Sequence, residues 1–293
     1  MAMKFSKRII LNTGCTLLCL FAIERFCRWQ TAGFRLDKLH SDFVFHPSLT
    51  ASKEEASFGS LLQQRFTFLG SGVQCYAFLG EDNETVLKVF KHYHNMPITG
   101  LVKTIPLPSA LEKWRDSIRE RRERRLNAIF SSCEIAGHEF KEETGVIGIH
   151  LEPTTSLKQK ITLIDKLGIT HEIDADTTAF VLQKRVEMLP EKIGPKEEMQ
   201  KRLKSLVELI AMRCKKGVLN LDLRIERNIG FIGDRAIEVD IGSYKKQEPK
   251  RSSHPYRKEV KRELSRLREW TEEHYPELLA DVDHEIEAAI QNF

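Results

Sequence analysis

The stretch VLNLDLRIERNIGFIGDRAIEVDIGSY, Val218 to Tyr244, decides the reading of this chain. Ile229 to Ile232 and Ala236 to Val239 are rich in β-branched and apolar residues, and Gly233-Asp234-Arg235 between them is a turn signal. Together they predict an antiparallel hairpin. If those three residues form the turn, Asn228 stands opposite Asp240; a two-residue turn shifts the register by one. Opposed residues in such a ladder have Cβ atoms about 5 Å apart, close enough for an amide oxygen and a carboxylate to share one cation. Asp222 lies just before the hairpin as a candidate base.

One carboxylate and one amide, completed by phosphate oxygens, suit Mg²⁺, which keeps most of its waters and takes few protein ligands. Two upstream features fit a polyphosphate. Gly70-Ser71-Gly72-Val73-Gln74-Cys75-Tyr76-Ala77 links two predicted strands, and glycines let backbone N–H groups approach phosphate oxygens closely. In Thr85-Val86-Leu87-Lys88-Val89-Phe90, strand alternation puts Lys88 on the same face as Val86 and Phe90. A lysine aligned with apolar neighbours needs an anion if that face is buried.

Taken in this order, the motifs resemble the protein-kinase-like superfamily. Asn220-Leu221-Asp222 stands where the family's catalytic loop has H-x-D, Asn228 where its metal-binding Asn lies, and Asp240-Ile241-Gly242 where it has D-F-G. Asn220 replaces the loop His, and the step from Asp222 to Asn228 is one residue longer than the family's. Gly70 to Ala77 resembles G-x-G-x-x-G-x-V, with Cys75 for the third Gly and Ala77 for the Val over the adenine. The resemblance implies that Gly70, Ser71, Gly72, Ala77 and Lys88 bind ATP. It further implies that Lys88 pairs with Glu134 of the next helix (alternatively Glu139), that Asn228 and Asp240 hold Mg²⁺, that Asp222 is the base, and that Arg224 neutralises the transferring phosphoryl.

The wider pattern predicts an α+β, bilobal protein-kinase-like fold: a β-rich N-lobe over residues 64–186 and a reduced helical C-lobe over 187–293. Predicted strands run Gln64 to Leu69, Gln74 to Leu79, Glu84 to Lys91, Val146 to Leu151, Lys160 to Ile164, Ile169 to Ile173 and Ala179 to Arg185. The hairpin around Asp165 to Gly168 exceeds what the family's small lobe needs and reads as an insertion. Helices are expected from Ser109 to about Glu143, ended by Thr144-Gly145, from Glu197 to Lys216, and after Pro255. Residues 30–63 read as a linker.

Ahead of this, Ile9 to Ile23 is an uncharged run flanked by Lys4, Lys7 and Arg8 on one side and Glu24, Arg25 and Arg28 on the other. As a helix it covers about 22 Å, against the roughly 30 Å of a bilayer's hydrocarbon core, and residues 1–29 are expected to form an uncleaved hydrophobic anchor helix. That expectation puts the protein at a membrane, its soluble domain on the cytoplasmic side where ATP is. A net charge of +4 over 293 residues gives no pointer to nucleic acid, and the six cysteines show no metal-ligand or disulfide spacing. The basic run Glu112 to Arg125 carries i,i+4 charge pairs and reads as a solvated helix face.

The expected activity is therefore ATP- and Mg²⁺-dependent transfer to a hydroxyl acceptor, either a lipid, a sugar or a protein Ser/Thr. Few residues follow Gly242 and none resembles A-P-E, so the helices that dock peptide substrates cannot all be present. The alternative from another class is a pseudokinase serving as a membrane-tethered nucleotide- or partner-binding module.

Overall fold

The computed structural model describes residues 2–40, 43–46, 58–92, 108–189, 195–222, 224–247 and 257–291. The first lobe is built on strands β1 (Arg65–Ser71), β2 (Cys75–Gly80), β3 (Thr85–Phe90), β4 (Val146–His150), β5 (Lys160–Ile164), β6 (Thr170–Asp174) and β7 (Phe180–Lys184). They form one mixed seven-stranded sheet in the order β4-β7-β3-β2-β1-β5-β6. The pair β1·β5 is parallel and β1·β2, β2·β3 and β3·β7 are antiparallel. The expected extra hairpin is β5–β6, hung on the edge of β1 away from β4 and β7. Its turn is fixed by Asp165, whose Oδ1 accepts the N–H groups of Leu167 and Ile169 at 2.9 and 3.0 Å.

Strand alternation sorts the two sheet faces. Tyr76, Phe78, Leu87 and Val89 are buried with Phe66, Phe34 and Leu39 on one face. Phe90 and Val181 are buried on the other, against Phe130 and Cys133 of helix α2 (Ser109–Glu139). Helix α2 comes close to β4 at Gly137, where a Cβ would come within 2.1 Å of Ile149 Cδ1, so glycine is kept inside a helix it otherwise weakens. A single turn, α3 (Lys141–Thr144), follows, and Gly145 ends it at φ +62°, the left-handed conformation of a helix C-terminal cap.

The second lobe has β8 (Glu187–Met188), α4 (Lys196–Lys215), β9 (Val218–Asn220), α5 (Ile225–Asn228), β10 (Ile229–Ile232), β11 (Arg235–Glu238), β12 (Tyr244–Lys246), α6 (Arg257–His274) and α7 (Leu279–Gln291). Leu203, Leu206 and Ile210 of α4 pack with Leu264, Leu267 and Trp270 of α6 and Val282 of α7. The architecture is thus α+β and two-lobed. Val218, Ile241 and Tyr244 join the core beneath α2, so the two lobes share apolar contacts at the hairpin.

Three expectations change. The segment read as a linker supplies Phe34, Leu39, Phe58 and Leu62 to the sheet's core; its aromatic anchors fall at no regular period, so no element was legible there. The hairpin turn has two residues, Gly233-Asp234, because Ile232 pairs with Arg235. Asn228 therefore lies opposite Val239, whose N–H donates to the Asn228 carbonyl at 2.8 Å, not opposite Asp240.

The anchor expectation over residues 9–23 is not supported. Helix α1 (Ala2–Gln30) is present, yet among the described residues no helix is long and apolar enough to cross a membrane. Asn12, Thr13, Gly14 and Thr16 interrupt the apolar run and Glu24, Arg25 and Arg28 close it, short of the ~20 residues a span needs. Leu17, Leu18, Phe21 and Trp29 of α1 are exposed.

Candidate functional site

One side of the site is made by β1 to β3. Ala77 pairs directly with Lys88 and Cys75 with Phe90, so these four side chains share the sheet face turned toward α2 and the second lobe. Lys88 Nζ reaches across to donate to the Val239 carbonyl at 2.5 Å. This contact puts the strand lysine next to the residue that precedes Asp240.

Glu134 of α2 is buried, as are its neighbours Ser132 and Cys133. Burial pushes the Cys133 thiol up, and the charges of Lys88, Asp240 and Glu134 all act on it. Glu139, the alternative partner for Lys88, points elsewhere: its Oε1 pairs with Lys246 Nζ at 2.6 Å.

The glycine loop lies open. A Cβ on Gly70 would meet nothing within 4 Å, and one on Gly72 only the Cys75 carbonyl at 3.7 Å, so neither glycine is demanded by crowding within the chain. The Gly72 N–H itself closes the turn, donating to the Cys75 carbonyl at 3.0 Å, so the open space lies over the glycine Cα atoms. The loop is gripped from behind by Lys91, whose Nζ donates to Ser71 Oγ at 2.7 Å and the Gly72 carbonyl at 2.6 Å and sits 4.1 Å from the Tyr76 ring centroid. Burial lowers the Lys91 pKa to about 8. At its far end the loop touches the segment after the hairpin: a Cβ on Gly242 would lie 1.8 Å from Gln74 Oε1, so the Gln74 amide lies directly over Gly242.

On the other side, β9 and α5 carry the acidic half. Asp222 follows β9 in an irregular turn in which its N–H donates to Asn220 Oδ1 at 2.9 Å. Its carboxylate is closed by Arg224, with Nε donating to Oδ1 at 2.9 Å and Nη2 to Oδ2 at 2.5 Å. Hydrogen bonding to Arg224, through its guanidinium and its backbone N–H, holds the Asp222 pKa below the usual carboxylate value against the opposing effect of burial. Asp222 is thus ionised at neutral pH, and its two oxygens are occupied by an exposed side chain that a ligand can displace.

The step from Asp222 to Asn228 ends in the one-turn helix α5. Winding the chain there returns Asn228 to the loop, where its Nδ2 donates to the Asp222 carbonyl at 3.1 Å. The Asn228 amide oxygen is then the atom it can offer to a cation. Asp240 is half-buried, and its Oδ1 accepts the Gly242 N–H at 3.2 Å. Asp240 also raises the Arg224 pKa, behind the larger effect of Asp222, so the two acidic groups act on one guanidinium.

Among the described residues no three His, Cys, Asp or Glu side chains gather into a metal cluster. One carboxylate and one amide suit a hard cation that brings its remaining oxygens as water and phosphate, and they do not suit a structural zinc or calcium cage. The structure therefore brings Lys88, paired with Ala77 on the neighbouring strand, to the residue before Asp240, gathers Asp222, Arg224 and Asn228 in one turn, and buries Glu134 in α2. Sequence reasoning missed Lys91, Gln74 and the buried Glu238. Lys91 was in principle legible, since two residues on from Val89 it returns to the face of Tyr76.

No protein-family model matches the chain, and no curated protein matches it. Among solved structures, a crystal structure of WbdD matches at 13% identity and TM-score 0.40, covering 75% of this chain and 46% of that one. A second WbdD structure, described as a bifunctional kinase-methyltransferase, matches at 15% identity and TM-score 0.36, covering 73% of this chain and 43% of that one. The chain spans less than half the length of either, and the functional reading below rests on the cleft's own residues.

Proposed function

We propose that the cleft binds Mg-ATP and transfers its γ-phosphoryl to a hydroxyl acceptor. The observation that carries this reading is the Lys88 bond to Val239, which brings the strand lysine beside Asp240 with the open Gly70–Gly72 loop above. In this reading the open Gly70–Gly72 loop covers the phosphates, Lys88 holds them, and Glu134 steadies Lys88. Asn228 and Asp240 hold Mg²⁺, which when bound neutralises phosphate charge. Asp222 orients the acceptor hydroxyl and takes its proton as the new O–P bond forms and the bond to the ADP oxygen breaks. Arg224 has to leave Asp222 for this, and its guanidinium is then free to meet the transferring phosphoryl.

The acceptor class is a lipid, a sugar or a protein Ser/Thr. The exposed Leu17, Leu18 and Phe21 of α1, with Arg25 and Arg28 at its end, support contact with an anionic lipid surface on the ATP-containing side of a membrane. Flotation with anionic vesicles tests this point, and loss of flotation on removing residues 1–29 is the expected result.

Transfer of radiolabel from [γ-³²P]ATP to the protein itself and to generic acceptors tests the main reading. Label transfer that needs Mg²⁺ and disappears in Asp240→Ala is expected; undiminished transfer by Asp240→Ala overturns it. One arrangement favours the rival pseudokinase reading: Arg224 closes Asp222 while Gln74 covers Gly242. Mg-ATP binding with no transfer to any acceptor is that reading's signature.

A further inference from the structure

Behind Asp222 lies a buried charge cluster that the nucleotide reading leaves without a task. Arg213 of α4, Glu238 of β11 and Glu263 of α6 are 1%, 3% and 3% exposed. Arg213 Nε donates to Glu238 Oε2 at 2.9 Å, its Nη1 to the Val218 carbonyl at 3.1 Å, and its Nη2 to Glu263. Burial works against the Arg213 charge, but the two carboxylates outweigh it and the pKa rises. Burial raises the Glu263 pKa. Core-forming residues do not need such a group, since well-packed apolar side chains of the same volume are often as stable.

What the cluster does locally is fix an amide. Glu238 Oε2 also accepts the Tyr244 hydroxyl at 2.5 Å, and its Oε1 accepts Asn220 Nδ2 at 2.9 Å. A carboxylate only accepts, so the Asn220 side chain must turn its NH₂ to Glu238 and its oxygen the other way. That oxygen is the acceptor of the Asp222 N–H. Tyr244 continues the chain in the other direction. Its N–H donates to Ser132 Oγ at 2.5 Å, and that hydroxyl donates to the Ile241 carbonyl at 2.5 Å. Ser132 lies on α2, two residues before Glu134.

We propose that Glu238 is a positioning residue for the phosphotransfer site. Through Asn220 it sets the backbone that carries Asp222, and through Tyr244 and Ser132 it ties that backbone to the helix carrying Glu134. The inference rests on the reading of Asp222 as the base, and it gives Asn220 a task of its own where the kinase-like family has His. Asn220 here takes its orientation from a carboxylate built into the adjacent strand.

The test is Asn220→Ala, which removes the link without leaving any charge unpaired, with Tyr244→Phe as a second, milder variant. Self-phosphorylation or Mg-ATP hydrolysis by the full chain is measured at saturating ATP, together with KM for ATP and thermal unfolding. In Asn220→Ala, kcat is expected to fall about a hundredfold, the usual scale for a reacting group displaced by an ångström, with KM for ATP within twofold. Tyr244→Phe is expected to lose less. A kcat for Asn220→Ala within threefold of wild type overturns the inference, because a purely structural link would lower the unfolding temperature and leave turnover per folded molecule intact.

Hydrogen exchange of the segment 218–224 gives a readout independent of activity. Exchange at the Asp222 amide should rise more than tenfold in Asn220→Ala; unchanged exchange overturns the inference. A wild type with neither turnover nor Mg-ATP binding overturns the phosphotransfer reading instead, and exchange in Glu238→Gln, which keeps Asn220, still decides whether Glu238 holds the loop through it: a raised Asp222 amide rate supports the inference and an unchanged one overturns it.

Discussion

The two halves of the cleft are held in different ways. Lys88 donates to one neutral backbone oxygen, under a loop whose glycines meet no crowding. Asp222 stands on a buried network in which Arg213, Glu238, Glu263, Tyr244 and Asn220 satisfy one another, and its own carboxylate is closed only by a surface arginine. A charge whose hydrogen bond goes to a neutral carbonyl is easily drawn to an anion, whereas a backbone fixed by a saturated ionic network hardly moves. The lysine side is therefore built to exchange partners when a ligand arrives, and the base side is built in advance of it.

The largest effect should come from breaking the rigid half. Arg213→Met leaves two buried carboxylates without their cation, which costs about 3–5 kcal/mol of stability. Denaturant unfolding checks this, and a loss under 1 kcal/mol would show that the network is not the support of that lobe. The corresponding cut in the other half, Lys88→Met, should change stability by no more than about 1 kcal/mol, because one hydrogen bond to a carbonyl is lost. Its effect should appear in nucleotide binding, as a loss of about 1.5–3 kcal/mol for a charge-assisted contact.

Two smaller effects depend on pH. The Asp222 pKa is depressed in the fold, so its stabilising contribution is full above the unfolded carboxylate value of about 3.9 and is lost as pH falls through the depressed value. Arg224→Ala should move the Asp222 titration upward in carbon-detected NMR, and an unmoved titration would show that Arg224 does not set it. Lys91 shifts in the same direction, at higher pH. Its pKa falls from 10.5 to about 8, so the unfolded chain binds more protons between those values and stability should rise with pH across that window. In Lys91→Met that rise should be absent; a pH profile identical to wild type would contradict the burial of Lys91.

Much of the lysine half was legible in the sequence. Alternation in Thr85 to Phe90 gave the face of Lys88, and the turn residues around Gly72 and Gly145 marked where elements end. The expected extra hairpin was legible because Asp165 to Gly168 is a strong turn between two apolar runs. In the base half, the order of Asp222, Asn228 and Asp240 could be read, but not their geometry. Gly233, Asp234 and Arg235 all suit a turn, so the choice between two and three turn residues waited on packing. Glu238 gave no signal either, because its partners Arg213 and Glu263 come from helices far away in the chain. The Phe34, Phe58 and Leu62 anchors were missed because they lie in short turns, Phe58 and Leu62 at a single 3-10 turn over Gly59–Gln63, too short to show a period.

The most direct test of the account is calorimetric titration of Mg-ATP into the wild type, Lys88→Met and Asp240→Asn. Saturable binding that requires magnesium and weakens at least about tenfold in each variant is the predicted result. Absence of binding to the wild type, or binding equally strong in both variants, would contradict the assignment of this cleft to a magnesium-nucleotide ligand.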